Sequence, residues 1–229
     1  MNYNSEVIKQ INLFEPSQII VSRKLYKEKL LSVPELTFFK VLERMVKDNK
    51  LTRISKGIYC RPKESRFGII KSSDKEIIQY YTGENNESGM VIGYNLYNKY
   101  GISTQVSKRK ELYSNLTSEN KKVVQNVLIN HANIEFSPSV IKTIEAFEIL
   151  QNYDEIEDLD NAKLKVYLEK YANNYNDTAA NQVLMKMHYM KRTIAFLEKI
   201  LEYYSVENSL HHYLSKTSVY KMPTMQEIC

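Results

Sequence analysis

The chain has 229 residues and a mass of 26.9 kDa, room for one large or two modest domains; its 18 Tyr and seven Phe supply buried area that its 43% apolar content alone would leave thin. The net charge of +5 is unevenly spread: residues 1–67 carry 14 Lys and Arg against seven Asp and Glu, whereas residues 68–229 carry 18 against 20. No apolar run approaches the roughly eighteen residues of a membrane span, and the segment Met1 to Glu6 lacks the basic-then-apolar order of a signal peptide, so a cytosolic protein without membrane association is expected.

Taken in chain order, the apolar spacing of Val7, Ile8, Ile11 and Leu13 predicts a first helix over residues 5–14, stopped by Glu15-Pro16. A short β-prone run at 18–21 precedes a second helix over 22–31 that carries Arg23, Lys24, Lys27 and Lys29. Ser32-Val33-Pro34-Glu35 has the order of a capping box, with Ser32 as cap and Glu35 as its partner, and starts a third helix that runs to about residue 48. On that helix Phe38, Val41, Leu42, Met45 and Val46 share one arc, and Thr37, Lys40, Arg44 and Lys47 share the opposite one.

Residues 51–55 and 58–62 are β-prone and are separated by Lys56-Gly57, which predicts a hairpin with Ile54 opposite Tyr59 and Arg53 opposite Cys60. In that register Arg53, Lys56 and Arg61 reach solvent. Further on, residues 74–81 and 89–100 read as helices, 112–116 and 123–128 as strands, and Asn130-His131 as a turn into 133–136. From residue 139 onward the pattern is helical, over 140–150, 162–171 and 178–204, joined by an acidic connector at 154–160 and by 173–177. The expected class is α+β: a winged helix-turn-helix over 1–67, a small mixed α/β region over 68–136, and a helical region over 137–229.

Three helices followed by a hairpin, with a basic outer face on the third helix, is the order of a module whose third helix enters the DNA major groove while the wing lies along the backbone. Short polar and basic side chains on that face reach base edges, which makes Thr37, Lys40 and Arg44 candidate base readers. Arg23, Lys24, Lys47, Arg53, Lys56 and Arg61 are candidate phosphate contacts. An enzyme is not expected. The four histidines, at 131, 188, 211 and 212, include no pair at the i, i+4 spacing of a helical metal site, and His211 and His212 should point apart on a helix. No phosphate-cradling, dinucleotide-binding or nucleophile-elbow motif occurs, so no catalytic residue and no cofactor are assigned. The Gly89-x-x-x-Gly93 pair implies close packing at most, and the acidic run at 154–160 lacks the Gly and the distant Glu of a calcium loop. Cys60 and Cys229 have no partner spacing and should be free thiols.

Two segments carry a family resemblance. Leu51-Thr52-Arg53-Ile54-Ser55-Lys56-Gly57-Ile58-Tyr59-Cys60-Arg61-Pro62-Lys63, followed by Phe67-Gly68, resembles the wing of the AbiEi-type antitoxins of type IV toxin-antitoxin systems. Asn95 to Val106, with its Gly101-Ile102-Ser103-Thr104-Gln105 core, is similar to the helix-to-loop element that follows the wing in those proteins. The resemblance covers roughly residues 5–136. It implies an antitoxin-like repressor that binds repeats in its own promoter and is paired functionally with a nucleotidyltransferase-like toxin, without a stable complex between them. Beyond Pro138 the chain matches nothing in that pattern.

Residues Val183, Met187, Met190, Ile194, Leu197, Leu201 and Tyr204 form a seam with spacings alternating between 4 and 3. Packing against the preceding helices is the plainer use of that seam. A homodimer would suit a palindromic operator, and a second use of the whole chain would be as a protein-interaction module that presents this seam to a partner.

Overall fold

The computed structural model describes residues 3–66, 68–70, 73–215, 217–224 and 228. It is α+β, with helices at both ends and small sheets between them. The chain divides into two compact units, residues 1–80 with 123–127, and residues 81–122 with 128–229.

In the first unit, α1 (Tyr3–Asn12) and β1 (Ile20–Val21) lead to α2 (Ser22–Lys29) and α3 (Glu35–Lys47). A hairpin of β2 (Thr52–Ser55) and β3 (Ile58–Cys60) follows, and β3 pairs also with β1, giving the antiparallel order β1-β3-β2. This is the winged helix-turn-helix order. Its core collects the inward faces of all three helices, including Val7, Ile11, Leu25, Leu30, Phe38, Val41, Leu42 and Met45, with Ile20, Leu51 and Tyr59 from the sheet. Phe38 is fully buried, 5.2 Å from the Tyr26 ring, whose hydroxyl donates to the Val33 carbonyl at 2.9 Å. Cys60 is a buried free thiol, and Cys229 lies outside the described residues.

Two local expectations in this unit need correction. The capping box is not formed: α3 begins behind Pro34 with no side-chain cap, and the Ser32 hydroxyl donates instead to Glu6 Oε1 at 3.4 Å. The hairpin register is Thr52 with Cys60, Arg53 with Tyr59 and Ser55 with Ile58, with an irregularity between Arg53 and Ser55. One extra residue on β2 is absorbed as a bulge, which leaves Ser55 opposite Ile58 as the two-residue turn suggested and shifts the partners of Tyr59 and Cys60 by one. A further hairpin, β4 (Lys63–Ser65) with β5 (Gly68–Ile70), precedes α4 (Asp74–Thr82).

The second unit is organised around one core that joins the middle of the chain to its helical end. Met90, Ile92, Leu96, Tyr97 and Phe136 share that core with Phe147, Leu164, Val183 and Leu197. Residues 81–122 and 128–136 of the middle region are therefore packed with the helical region as one body. A four-stranded sheet has the order β6-β7-β9-β8, from β6 (Gly89–Ile92), β7 (Lys110–Ser114), β8 (Lys121–Val124) and β9 (Val127–His131), with α5 (Tyr94–Lys99) after β6; residues 123–127, at the β8–β9 turn, are counted with the first unit.

Residues 89–100 are thus a strand and a helix rather than one helix. Gly93, at φ +62° and ψ −148°, makes the corner between them, a conformation that side chains with a Cβ rarely adopt. Gly89 lets β6 approach so closely that a Cβ would lie 2.2 Å from the Tyr113 carbonyl oxygen. The turn expected at Asn130-His131 falls five residues earlier: Gln125, at φ +53°, and Asn126 connect β8 to β9, and His131 ends the strand.

The helical part comprises α6 (Pro138–Gln151), α7 (Asn161–Asn173), α8 (Asp177–Lys186) and α9 (Lys191–Tyr203). Side-chain caps explain three of the starts: Ser137, Asp160 and Asn176 each accept a hydrogen bond from a backbone N–H three residues on. The single helix expected over 178–204 is broken at residues 187–190. At the break Tyr189 turns inward, stacks on Phe147 at 4.6 Å and donates to Glu148 Oε1 at 3.0 Å. The C-terminal seam is nonetheless used internally, with Val183, Ile194, Leu197 and Leu201 buried in this core while Met190 is exposed. His211 and His212 do not point apart; they lie in a short 3-10 turn with ring centroids 4.0 Å from each other.

Among the described residues no helix is long and apolar enough to cross a membrane.

Candidate nucleic-acid interface

The amphipathic pattern of α3 settles which of its side chains are free to meet a ligand. Phe38, Val41, Leu42 and Met45 are buried in the first unit's core, so Lys40, Arg44 and Lys47 stand exposed on the opposite arc and Thr37 is half-buried beside them. Among the described residues no ion pair holds Lys40, Arg44 or Lys47, nor Arg23, Lys24, Arg53 or Lys56. Cations without a carboxylate partner keep their full charge for an incoming anion.

The wing turn is tied to the start of α2. Ser22 is buried, and both its backbone N–H, at 2.9 Å, and its hydroxyl, at 3.1 Å, donate to the Gly57 carbonyl. Those two bonds bring Lys56, next to Gly57, to the same place as Arg23 and Lys24, which directly follow Ser22 and are exposed. The first turn of α2 has no side-chain cap. Beyond the Ser22 N–H, which is bonded to Gly57, that turn adds the positive end of a helix dipole to the three cations, an arrangement that suits a phosphate.

Arg53 is exposed on β2, an edge strand of the sheet. With Thr52 and Ile54 it lines a groove of about 400 Å³ whose other wall is Gln125 and Asn126, the tip of the β8–β9 hairpin. Those two residues were read as the middle of a strand, so this wall was invisible in the sequence.

Arg61 departs from its assignment. It is half-buried, and its Nη1 donates to the carbonyls of Phe14 at 2.7 Å and Asn12 at 3.2 Å. The Arg61 carbonyl also accepts from the Ser17 backbone at 2.9 Å. Its charge therefore satisfies orphan carbonyls at the end of α1 and fastens that helix to the wing; it is a structural residue and not a free phosphate contact.

The outer arc of α3 also contains two residues that the sequence reading passed over. Leu36 is 78% exposed in the first turn, and Glu43 is exposed one turn past Lys40. With Lys40 and Lys47 they are spaced 4, 3 and 4, one stripe along the helix. An unburied leucine off the core arc was the available signal, since nothing in the fold requires it there.

The arrangement as a whole is that of a winged helix-turn-helix with an unpaired basic outer face. Comparison with known proteins finds a model described as a family of unknown function (DUF6088) that matches residues 31–144, from the turn before α3 into α6. No curated protein matches the sequence. Among solved structures the chain is similar to the RV2827C protein from Mycobacterium tuberculosis, with 10% identity, a TM-score of 0.46, and coverage of 88% of this chain and 77% of that one.

Proposed function

We propose that the first unit binds duplex DNA and that the protein is an antitoxin-like transcriptional repressor of its own operon, acting in the cytoplasm. The observation that carries this reading is the outer face of α3: an exposed stripe of Lys40, Arg44 and Lys47, free of carboxylate partners, on a helix whose other face is locked into a core. In this reading Thr37, Lys40 and Arg44 meet base edges, with Leu36 against thymine methyl groups and Glu43 as an acceptor for cytosine amino groups. Arg23, Lys24, Lys47, Arg53 and Lys56 neutralise phosphates. The resemblance of residues 51–68 and 95–106 to AbiEi-type antitoxins supplies the biological setting, promoter repeats as operator and a functionally linked nucleotidyltransferase-like toxin without a stable complex, and a homodimer would suit a palindromic operator.

The alternative use of the chain as a docking module through its C-terminal seam is less favoured, because Val183, Ile194, Leu197 and Leu201 of that seam are covered within the second unit, although Met190 stays exposed. A mobility shift with the DNA upstream of the protein's own gene tests the proposal: a retarded species that unrelated duplex displaces poorly supports it, and no retardation at low salt overturns it.

A further inference from the structure

Helix α6 carries two buried glutamates one turn apart, and they are treated differently. Glu145, 2% exposed, is saturated: it accepts from Lys99 at 2.6 Å, Lys142 at 2.9 Å and the Tyr100 hydroxyl at 2.6 Å. Glu148, 5% exposed, is held by no ion pair among the described residues. Its Oε1 accepts from Tyr113 and Tyr189, each at 3.0 Å, and among the described residues its Oε2 accepts nothing. Burial pushes its carboxyl up from the usual range, the charge of Glu111 adds to this, and the two tyrosine hydroxyls offset only part. A buried carboxylate without a cation is costly unless a donor arrives.

Glu148 lines a cavity of about 640 Å³ that lies wholly in the second unit. One face of β7 contributes Glu111 and Tyr113 at the two-residue spacing of a strand, where a sheet face packed on a helix is ordinarily apolar, and Arg109 directly precedes that strand. Arg109 and Lys121 are exposed at the rim, Tyr94 and Tyr97 stand edge to face at 5.4 Å, and the amides of Asn130 and Asn152 complete the wall. His131 also lines it, with a buried Nδ1 that has no hydrogen-bond partner. The volume falls in the range of roughly 300–1,000 Å³ that encloses drug-sized ligands and is far too large for a lone ion. No group of three or more His, Cys, Asp or Glu among the described residues could hold a metal.

We infer that this cavity binds a nucleoside phosphate, with Glu148 Oε2 accepting an N–H of the base, a tyrosine ring against the base face, and Arg109 with Lys121 holding the phosphate. The polarity is set by the wall itself: the acceptor without a donor is buried, and the two cations, in no ion pair among the described residues, are exposed. Aromatic rings and side-chain amides suit a heterocycle between them.

The test is calorimetric titration of the full chain with each of the four ribonucleoside 5′-monophosphates and with inorganic phosphate, repeated on Glu148→Gln and Arg109→Ala. Gln keeps an oxygen for the two tyrosines, and Arg109 is exposed, so at least the second variant folds. At least one nucleotide should bind the wild type below about 1 mM, more tightly than phosphate does, and should lose about tenfold or more in each variant. Heat-free titrations with all four nucleotides overturn the inference, and so does binding that is indifferent to both substitutions. Because the readout involves no DNA, its failure leaves the proposed role of the first unit untouched.

Discussion

Replacing Arg61 by Ala separates a structural cation from a DNA-contacting one. Its Nη1 bonds to the Phe14 and Asn12 carbonyls are charge-assisted and half-buried, and hydrogen bonds of that kind contribute about 1.5–3 kcal/mol. For a unit of this size each kcal/mol moves the melting temperature by about 4–8 °C, so the first unit should melt roughly 6–24 °C lower in Arg61→Ala. Thermal denaturation followed by circular dichroism measures that shift. Fluorescence anisotropy on duplex DNA as a function of salt measures the other side: below its melting temperature the variant should keep the wild-type slope of log affinity against log salt. An unchanged melting temperature together with a slope shallower by about 0.9, the signature of one lost phosphate contact, would refute the structural assignment and restore the one drawn from sequence.

Lys56→Ala makes the reverse prediction, with melting unchanged, the slope shallower by about 0.9 and affinity at 0.15 M salt down by about fivefold; a full wild-type slope in anisotropy would remove Lys56 from the interface. Leu36→Ala should weaken specific binding, and the loss should vanish on an operator in which uracil replaces thymine, because the methyl group it touches is then absent; equal losses on both duplexes would dismiss that contact. The two buried glutamates should respond to pH with opposite sign. Burial raises Glu145, but the bonds from Lys99, Tyr100 and Lys142 outweigh it and hold its carboxyl below the ordinary value, so its stabilisation is complete above the unfolded value of about 4.3 and is lost as pH falls through the folded one. Glu148 is raised, so its contribution is complete below about 4.3 and is lost as pH rises through the folded value. The deficit of Glu145→Gln should shrink as pH falls below about 5 and stay level above it, whereas Glu148→Gln should gain on the wild type as pH rises between about 4 and 7; parallel melting curves for the two variants across both windows would contradict this.

What the sequence disclosed was whatever depends on short-range periodicity. The arc of Phe38, Val41, Leu42 and Met45 placed the core face of α3, and with it Lys40, Arg44 and Lys47 on the outside, because one helix obeys one period. Long-range packing was hidden. Nothing local announces that Tyr189 will interrupt a helical seam to reach Phe147 and Glu148, which lie about forty residues earlier, or that Arg61 will spend its charge on carbonyls of α1. The bulge between Arg53 and Ser55 likewise depends on which edge of β3 each neighbour takes, since β1 occupies the other. Gly89 and Gly93 carried a readable signal for a strand and a corner, but the helical spacing of their neighbours masked it.

The most direct measurement is the salt dependence of wild-type binding to a duplex that contains the repeats upstream of the gene. Five exposed cations assigned to phosphates imply a slope of about −4.5 for each protomer that engages the DNA, and hence a fall in affinity of about 500-fold per protomer between 50 and 200 mM salt. A slope near that value, with tighter binding to the upstream duplex than to a scrambled one, is the predicted result. Affinity that is flat with salt, or no binding at 50 mM, would contradict the claim that the outer face of α3 and the wing form a DNA-binding surface.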